Sequence, residues 1–236
     1  MSSFPSVDVV GDWPEQVRRR LLVLANPQRA PAMRAYMRGQ FAFFGIPTPT
    51  RRQAVATLIR QRQTAGELLA NACALWAMSE RECQYVAVDL LARQHRALGM
   101  GDIPAILDLV QIKPWWDSVD GLAGVVGDVV RSACIADVSA QQAMDAALCH
   151  DNLWVRRIAM LHQLGWRGDT DCERLFGYAL ALASEADFFI RKAIGWALRD
   201  FARHAPQAVV DFLNGAGREL SPLSRREAGK HLSGVL

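Results

Sequence analysis

The segment KPWWDSVD, residues 113–120, places two aspartates directly after a pair of tryptophans. With Pro114 in the first turn of a helix, Trp116 and Asp120 are four residues apart and share a face, whereas Asp117 points about 60° away. The helix dipole and free amides are expected to keep a carboxylate ionised there. An indole face and a carboxylate both attract cations. The segment therefore predicts a site for a ligand that carries or develops positive charge.

The same segment has a simpler interpretation when it is taken alone. In that interpretation the tryptophans fill the core and Asp117 caps the helix, and it is favoured unless other parts of the chain point to the same ligand.

Three pairs of basic residues provide a second candidate feature. They occupy corresponding places in three successive helices, so a fold that lines up these helices produces a track of cations. Such a track is what a nucleic-acid backbone requires. The alternative is that each pair is the solvated start of a helix, but three pairs in register favour the track. The pairs are Arg156 and Arg157, Arg191 and Lys192, and Arg225 and Arg226.

Helical periodicity dominates the chain, and no stretch alternates persistently like a strand. The first helices contain Leu21 and Met33, and Gly45, Pro47 and Pro49 end the second before a third begins near Arg51. Further helices are predicted at about 66–76, 80–96, 102–112, 115–132, 139–149, 153–165, 170–184, 187–203, 206–214 and 222–234.

Several of these helices resemble one another. Superposing Tyr85, Ser118, Arg157, Lys192 and Arg226 gives spacings of 33, 39, 35 and 34 residues. Repeats of this length made of helix pairs are typical of HEAT-like solenoids, in which pairs stack to bury their apolar faces. We therefore predict an all-α fold, a single curved α-solenoid superhelix whose equivalent helices line a concave face. One domain spans 1–236, with 1–14 as a flexible N-terminal segment.

Composition excludes several classes of protein. The chain has 236 residues, 51% hydrophobic and 22% charged, which is typical of an ordered globular protein. No apolar run approaches the ~18 residues that span a membrane, and the start lacks a secretory h-region. The five scattered cysteines predict free thiols in a cytoplasmic protein and no disulfide framework. The five histidines lack ligand spacing, so no metal or cofactor is expected.

The net charge of +3 is unevenly distributed. Residues 1–65 carry ten arginines and three acidic residues, whereas residues 66–150 carry five basic and eleven acidic residues. Only three of the 27 basic residues are lysines. Arginine suits phosphate through its planar donor fork, although a GC-rich genome also encodes arginine by default. The charge therefore indicates a polyanionic partner without proving one.

The motifs FAFFGIPTPTRR, KPWWDSVD, DNLWVRR, FFIRKAIGWALR and LSRREAGKHL occur in this order from about residue 15 to the C-terminus. Together they resemble the AlkD-type DNA alkylation repair family of alkylpurine DNA glycosylases. The resemblance implies a HEAT-like fold and excision of N3- and N7-alkylated purines from duplex DNA. It also implies a monofunctional enzyme that leaves an abasic site, needs no metal or cofactor, and works as a monomer.

The resemblance also implies site residues. Asp120 at the end of WWDSVD matches the catalytic carboxylate, and Trp116 and Trp196 match the indoles that flank the damaged nucleotide. Arg157 of WVRR matches the arginine beside that carboxylate, and Tyr36 of RAYMRG matches a DNA-facing tyrosine. The predicted DNA contacts also include Arg51, Arg52, Arg156, Arg191, Lys192, Arg225 and Arg226.

Two other functions fit the same residues. One is a HEAT-repeat protein that binds DNA structures without catalysis, and the other is a HEAT scaffold that binds proteins. Extrusion of the base, which many base-modifying enzymes require, is predicted to be dispensable on an open surface.

Overall fold

The protein is described by a computed structural model that covers residues 12–232, apart from the side chains of residues 138 and 231. Within that range the chain forms α-helices and short 3-10 turns, and no β-strand. This confirms the all-α prediction. The predicted flexible segment 1–14 lies outside the described residues as far as residue 11, and the first helix already begins at Trp13.

The chain divides into two compact units, residues up to 112 and residues from 113 onward. The first unit contains α1 Trp13–Leu22, α2 Ala30–Tyr36, α3 Thr48–Ile59, α4 Ala65–Ala77, α5 Arg81–Arg93 and α6 Ile103–Gln111. The second contains α7 Trp116–Cys134, α8 Gln142–Leu148, α9 Leu153–Leu161, α10 Cys172–Ala181, α11 Phe188–Ala202, α12 Pro206–Asn214 and α13 Pro222–Ala228. The single domain stays a prediction.

Most helices begin with residues that suit a helix N-terminus. Thr64 and Glu67 form a reciprocal capping box at α4, and the Asp187 side chain accepts hydrogen bonds from the amides of Phe189 and Ile190 at α11. Proline occupies one of the first two positions of α1, α2, α3, α6, α12 and α13. These local signals explain why most helix bounds agree with the sequence prediction to within about four residues. The last helix, predicted at 222–234, is α-helical only over Pro222–Ala228.

A buried glutamate organises the first unit. Glu82, on α5, is fully buried, and its carboxylate accepts hydrogen bonds from the amides of Phe44 at 3.0 Å, Gly45 at 2.9 Å and Ile46 at 3.1 Å. Gly45 has φ +88°, and a Cβ there would lie 2.2 Å from the carbonyl oxygen of Asn26. Glu82 thus supplies the acceptors for a buried turn of backbone between α2 and α3.

The second unit contains a stack of alternate helices. α7 packs against α9, α9 against α11 and α11 against α13, while α8 packs against α9, α12 against α11, and α10 against both α9 and α11. Gly127 permits a close approach, because a Cβ there would lie 1.9 Å from the carbonyl oxygen of His162. A Cβ at Gly195 would lie 2.4 Å from the Cβ of Glu227. The predicted helical repeat is confirmed in this unit.

Two remaining predictions about composition concern membranes and thiols. No α-helix between residues 12 and 232 is both long and apolar enough to cross a membrane. None of the five cysteines forms a disulfide in the described part of the chain, and Cys149 is the exposed one.

Candidate active site

The first turn of α7 differs from the prediction. The helix begins at Trp116 with Trp115 as its N-cap, so Pro114 precedes the helix and is not in its first turn. The reason is Lys113, whose φ of +50° turns the chain just before the proline. Trp116 and Asp120 nevertheless both lie within α7, four residues apart and on one face, as the spacing predicted. Both side chains are partly exposed.

Arg157 on α9 holds Asp120 through two hydrogen bonds. Its Nε lies 2.7 Å from Oδ1 of Asp120 and its Nη2 lies 2.9 Å from Oδ2, a bidentate geometry. Its third nitrogen, Nη1, donates to the carbonyl oxygen of Phe189 on α11. The Arg157 side chain is 1% exposed, whereas that of Asp120 is 22% exposed. The arginine is therefore a buried support, and the carboxylate is the member of the pair that solvent reaches.

Burial raises the pKa of Asp120 above its ordinary value, and the charge of Asp117 adds to that effect. The hydrogen bonds and charge of Arg157 act in the opposite direction and lower the pKa in part. The sequence predicted that the helix N-terminus would keep this carboxylate ionised. In the structure, the influences that lower its pKa are the hydrogen bonds and the charge of Arg157.

Trp196 on α11 lies beside two cations. The guanidinium carbon of Arg157 is 5.5 Å from its ring centroid, and Nζ of Lys192 is 5.2 Å from it. These distances are within the range of cation–π attraction. Arg157 therefore touches both Asp120 and the indole that the sequence analysis placed in the same site, which brings three predicted catalytic residues together.

The other tryptophan of the pair, Trp115, belongs to an aromatic cluster. Its ring centroid lies 5.9 Å from that of Trp154 and 5.0 Å from that of Phe189, and the last two rings are 4.9 Å apart. Such aromatic contacts stabilise packing beyond the area they bury. The cluster joins the starts of α7, α9 and α11 and fixes the backbone from which Trp116 projects. The two adjacent tryptophans thus have different environments. Trp115 packs in the aromatic cluster, whereas Trp116 lies on the face of α7 that carries Asp120.

A buried carboxylate lies next to this site on α13. Glu227 is about 5% exposed and binds Nζ of Lys192 at 3.0 Å, Nη1 of Arg199 at 3.1 Å and Nζ of Lys230 at 2.8 Å. Burial alone would raise the pKa of Glu227, but the hydrogen bonds and charges of Lys230 and Lys192 outweigh it and lower the pKa to about 2. Glu227 therefore holds Lys192 in place beside Trp196.

This ion cluster predicts a loss of stability in acid. Because the pKa of Glu227 is lower in the folded than in the unfolded chain, its stabilisation is complete above about pH 4.5 and disappears as the pH falls towards 2. We expect Glu227→Gln to lower the free energy of unfolding by about 3 kcal/mol at pH 7. The difference from wild type should shrink below about pH 4.5, as measured by urea unfolding across that range.

The control for this experiment is Glu219→Gln, which removes an exposed glutamate from the same unit. It should leave the free energy of unfolding within a few tenths of a kcal/mol of wild type at every pH. An unchanged gap between wild type and Glu227→Gln from pH 7 to the acid limit of the folded state would contradict the assignment.

The other basic residues of the second unit that are predicted to contact DNA differ in how many hydrogen bonds and ion pairs they form with the protein. Arg156 pairs with Glu185 at 2.6 Å, and Nε of Arg191 donates to the Glu185 carbonyl oxygen at 2.8 Å. Nη1 of Arg225 donates to two carbonyl oxygens, at 2.7 and 2.8 Å. Arg226 is exposed and forms no ion pair with another described residue. Contact of these residues with DNA stays a prediction.

The predicted residues of the first unit form two groups. Tyr36 is 71% exposed at the end of α2 and, with Met33, Met37, Phe43 and Tyr85, lines an open depression of about 270 Å³.

Arg51 is buried and pairs with Asp89 at 3.0 Å, and the exposed Arg52 pairs with the same carboxylate at 2.9 Å. Arg51 also lies 4.8 Å from the ring centroid of Tyr85. Arg51 is therefore buried in its ion pair with Asp89, whereas Arg52 remains exposed to solvent although it is paired with the same carboxylate.

Two residues of the site, Phe189 and Glu227, were not predicted from the sequence. Phe189 was only part of a motif, yet its carbonyl oxygen holds Arg157 and its ring supports Trp115. Glu227 was not considered, although its distance of 35 residues from Lys192 equals the repeat length and was the available signal. No group of three or more histidine, cysteine, aspartate or glutamate residues within 12–232 is arranged to hold a metal ion.

Comparisons with known proteins agree with the helical fold. The model of the DNA alkylation repair enzyme family matches residues 17–232. The structure resembles that of a predicted DNA alkylation repair enzyme from Enterococcus faecalis, with a TM-score of 0.80 and 32% identity over 88% of this chain and 96% of that one. AlkD2 from Streptococcus mutans shares the fold, with a TM-score of 0.61 and 18% identity over 79% and 91% of the two chains. No curated protein matches the sequence significantly.

Proposed function

Because the chain belongs to the DNA alkylation repair enzyme family, we propose that it is a monofunctional DNA glycosylase. In this proposal it hydrolyses the N-glycosidic bond of cationic N3- and N7-alkylated purines in duplex DNA and leaves an abasic site. It acts as a cytoplasmic monomer. The observation that carries the proposal is the partly exposed carboxylate of Asp120, bound by the buried Arg157 beside Trp196.

The chemistry of the substrate explains why a carboxylate is the central group. A purine alkylated at N3 or N7 carries a positive charge, so the bond from its nitrogen to C1′ of the deoxyribose is already weak. When that bond breaks, its electron pair neutralises the leaving purine and the positive charge moves to C1′ and the ring oxygen of the sugar. A fixed anion beside the sugar stabilises this transition state more than the ground state. Asp120 is the proposed anion.

Water completes the reaction at C1′. Each oxygen of Asp120 accepts one hydrogen bond from Arg157, and a carboxylate oxygen has a second acceptor position. Asp120 is therefore able to orient a water molecule and receive its proton as the new C1′–O bond forms. The product is a free purine and an abasic deoxyribose with both phosphodiester bonds intact.

Arg157 is proposed to act through Asp120. Its hydrogen bonds and charge oppose the rise in the pKa of the partly exposed carboxylate and fix its direction, and its hydrogen bond to the carbonyl oxygen of Phe189 holds the guanidinium in place. Its own positive charge weakens the field of Asp120 towards the sugar, so the remaining attraction must come partly from the indole faces of Trp116 and Trp196. This explains why the proposed site combines one carboxylate with two tryptophans.

The proposal requires neither a metal nor a lyase step. The leaving group is activated by its own charge, so it needs no Lewis acid and no deep pocket for protonation. Strand cleavage through a Schiff base requires a lysine amine free to attack C1′. Lys192 is instead ion-paired with Glu227 and lies beside Trp196, an environment that suits contact with phosphate.

Base release tests the proposal directly. We expect incubation of the protein with duplex DNA that contains N7-methylguanine or N3-methyladenine to release the free methylated base, as measured by liquid chromatography. The strand should remain intact until alkali cleaves the abasic site. Release of no methylated base from either substrate by folded protein would reject the glycosylase and favour a DNA-binding role without catalysis.

A further inference from the structure

Four exposed arginines lie at or just beyond the C-terminal ends of α3 and α5. Arg60, Arg62, Arg93 and Arg96 are all exposed, and none of them forms an ion pair or side-chain hydrogen bond with another residue between 12 and 232. They surround an open cavity of about 1020 Å³ in the first unit. No acidic side chain lines the described wall of this cavity, so four like charges face one volume of solvent.

Helix capping does not account for these arginines. Basic residues near a helix C-terminus are often explained by free carbonyl groups and the helix dipole. Here the Gln94 side chain already donates to the carbonyl oxygen of Ile59 at 2.8 Å and to that of Gln61 at 2.9 Å. It also accepts from the amide of Gln63 at 3.1 Å. The end of α3 is therefore tied to α5 without help from any arginine.

The cavity continues along α3 towards a residue that the sequence analysis assigned to DNA. Arg60 and Arg93 also line an adjoining depression of about 300 Å³ that ends at Arg52 and Asp89. The charge of Asp89 is offset by Arg51 and Arg52. Arg52, Ala56 and Arg60 are four residues apart in turn, so they lie along one face of α3 over about 12 Å. We name the surface formed by Arg52, Arg60, Arg62, Arg93 and Arg96 the arginine groove.

We propose that the arginine groove is a second DNA-binding surface, which contacts the phosphodiester backbone of duplex DNA. The proposal rests on the proposed function for the identity of the polyanion. Charge complementarity supports it, since the arginines extend over about 12 Å along α3 and match successive phosphates of one strand, which rise about 3.4 Å per nucleotide. Four of the five form no ion pair within residues 12–232, and Arg52 shares Asp89 with Arg51. Guanidinium groups suit this task because their donor forks match phosphate oxygens.

The test measures how DNA affinity depends on salt. Arg60→Gln with Arg93→Gln, Arg62→Gln with Arg96→Gln, and all four changes together are compared with wild type on an undamaged duplex from about 50 to 200 mM NaCl. Each lost phosphate contact should reduce the slope of log Kd against log salt by about 0.9. We expect each double variant to lose about 1.8 units of slope and the fourfold variant about 3.6 units, with weaker DNA binding at 150 mM salt in every variant.

The matched control is Arg203→Gln with Arg218→Gln, which removes two exposed arginines from the second unit. A slope reduced as much by this control as by either double variant would show that net charge matters and would overturn the proposal. An unchanged slope in the fourfold variant would overturn it as well. Wild type and variants are also titrated with inorganic pyrophosphate. Loss of pyrophosphate binding with unchanged DNA binding would assign the groove to a small phosphate ligand instead.

Base release separates this proposal from the proposed function. At saturating DNA, the fourfold variant should release methylated base at the wild-type rate, because the groove binds DNA and takes no part in bond cleavage. If wild-type protein releases no base, the glycosylase proposal fails, while the salt slopes still decide whether the groove binds DNA.

Discussion

Asp120→Asn should reduce the single-turnover rate of methylated-base release by at least about 10²–10³-fold, which is typical for the loss of a group that stabilises transition-state charge. An amide is nearly the same size as the carboxylate but carries no negative charge to stabilise the sugar cation. Affinity for undamaged duplex DNA should stay within about twofold of wild type. The rate is measured by chromatography of the released base, with DNA affinity measured on the same samples.

The matched control is Asp117→Asn, which removes a neighbouring carboxylate from the first turn of the same helix. It should change the rate by less than about fivefold, because it keeps the ion pair between Asp120 and Arg157 and removes only the smallest of the influences on the pKa of Asp120. A rate of base release that survives Asp120→Asn would exclude the assignment of Asp120. Binding without base release in the wild type would favour a non-catalytic DNA-binding protein.

Folding needs separate attention in this experiment. Asp120→Asn leaves the buried guanidinium of Arg157 without a counter-charge, and breaking one side of a buried ion pair costs about 3–5 kcal/mol. The double variant Asp120→Asn with Arg157→Gln removes both charges and avoids that cost. It should be more stable than the single variant and equally inactive, with thermal unfolding followed by circular dichroism.

Glu82→Ala should lower the free energy of unfolding by about 3 kcal/mol or more. It leaves the buried amides of Phe44, Gly45 and Ile46 without their acceptor, and each unsatisfied buried donor costs about 1–3 kcal/mol. For a chain of this size the loss corresponds to a decrease in Tm of roughly 6–12 °C. Differential scanning calorimetry and urea unfolding both measure it.

Glu80→Ala provides the matched control for Glu82. Glu80 precedes α5 by one residue, and its side chain makes no capping hydrogen bond. The control should change Tm by less than about 2 °C. If both variants unfold at the same temperature, the backbone turn has other acceptors and the assignment of Glu82 is wrong.

Local patterns in the sequence were sufficient to predict the helices and to place Trp116 and Asp120 on one face of the site. The spacing of Trp116 and Asp120 established their common face on α7, and turn residues such as Gly45 and Pro47 marked where helices stop. Arg157, in contrast, was assigned to Asp120 by family resemblance. Spacing within one helix contains no information about which residue of another helix completes an ion pair.

Burial and pairing of charged residues were not predictable in the same way. In the sequence, Glu82 and Glu227 cannot be distinguished from solvent-exposed glutamates. In the structure, Glu82 accepts hydrogen bonds from backbone amides and Glu227 forms ion pairs with three cations. Pro114 was misplaced because the turn at Lys113 depends on a positive φ that its residue type does not favour. The excess of arginine in residues 1–65 was visible from the sequence, but the difference between the paired Arg51 and the unpaired Arg60 required coordinates.

The bond between Asp120 and Arg157 links the loss of chemistry to the loss of structure. A descendant of this protein that exchanged the aspartate alone would keep a buried cation with nothing to balance it, and selection for a folded chain would act against that step. Loss of the proposed activity without loss of stability would therefore be favoured by substitution at positions 120 and 157 together. Paralogues that differ at both positions would be the natural candidates for non-catalytic DNA-binding proteins.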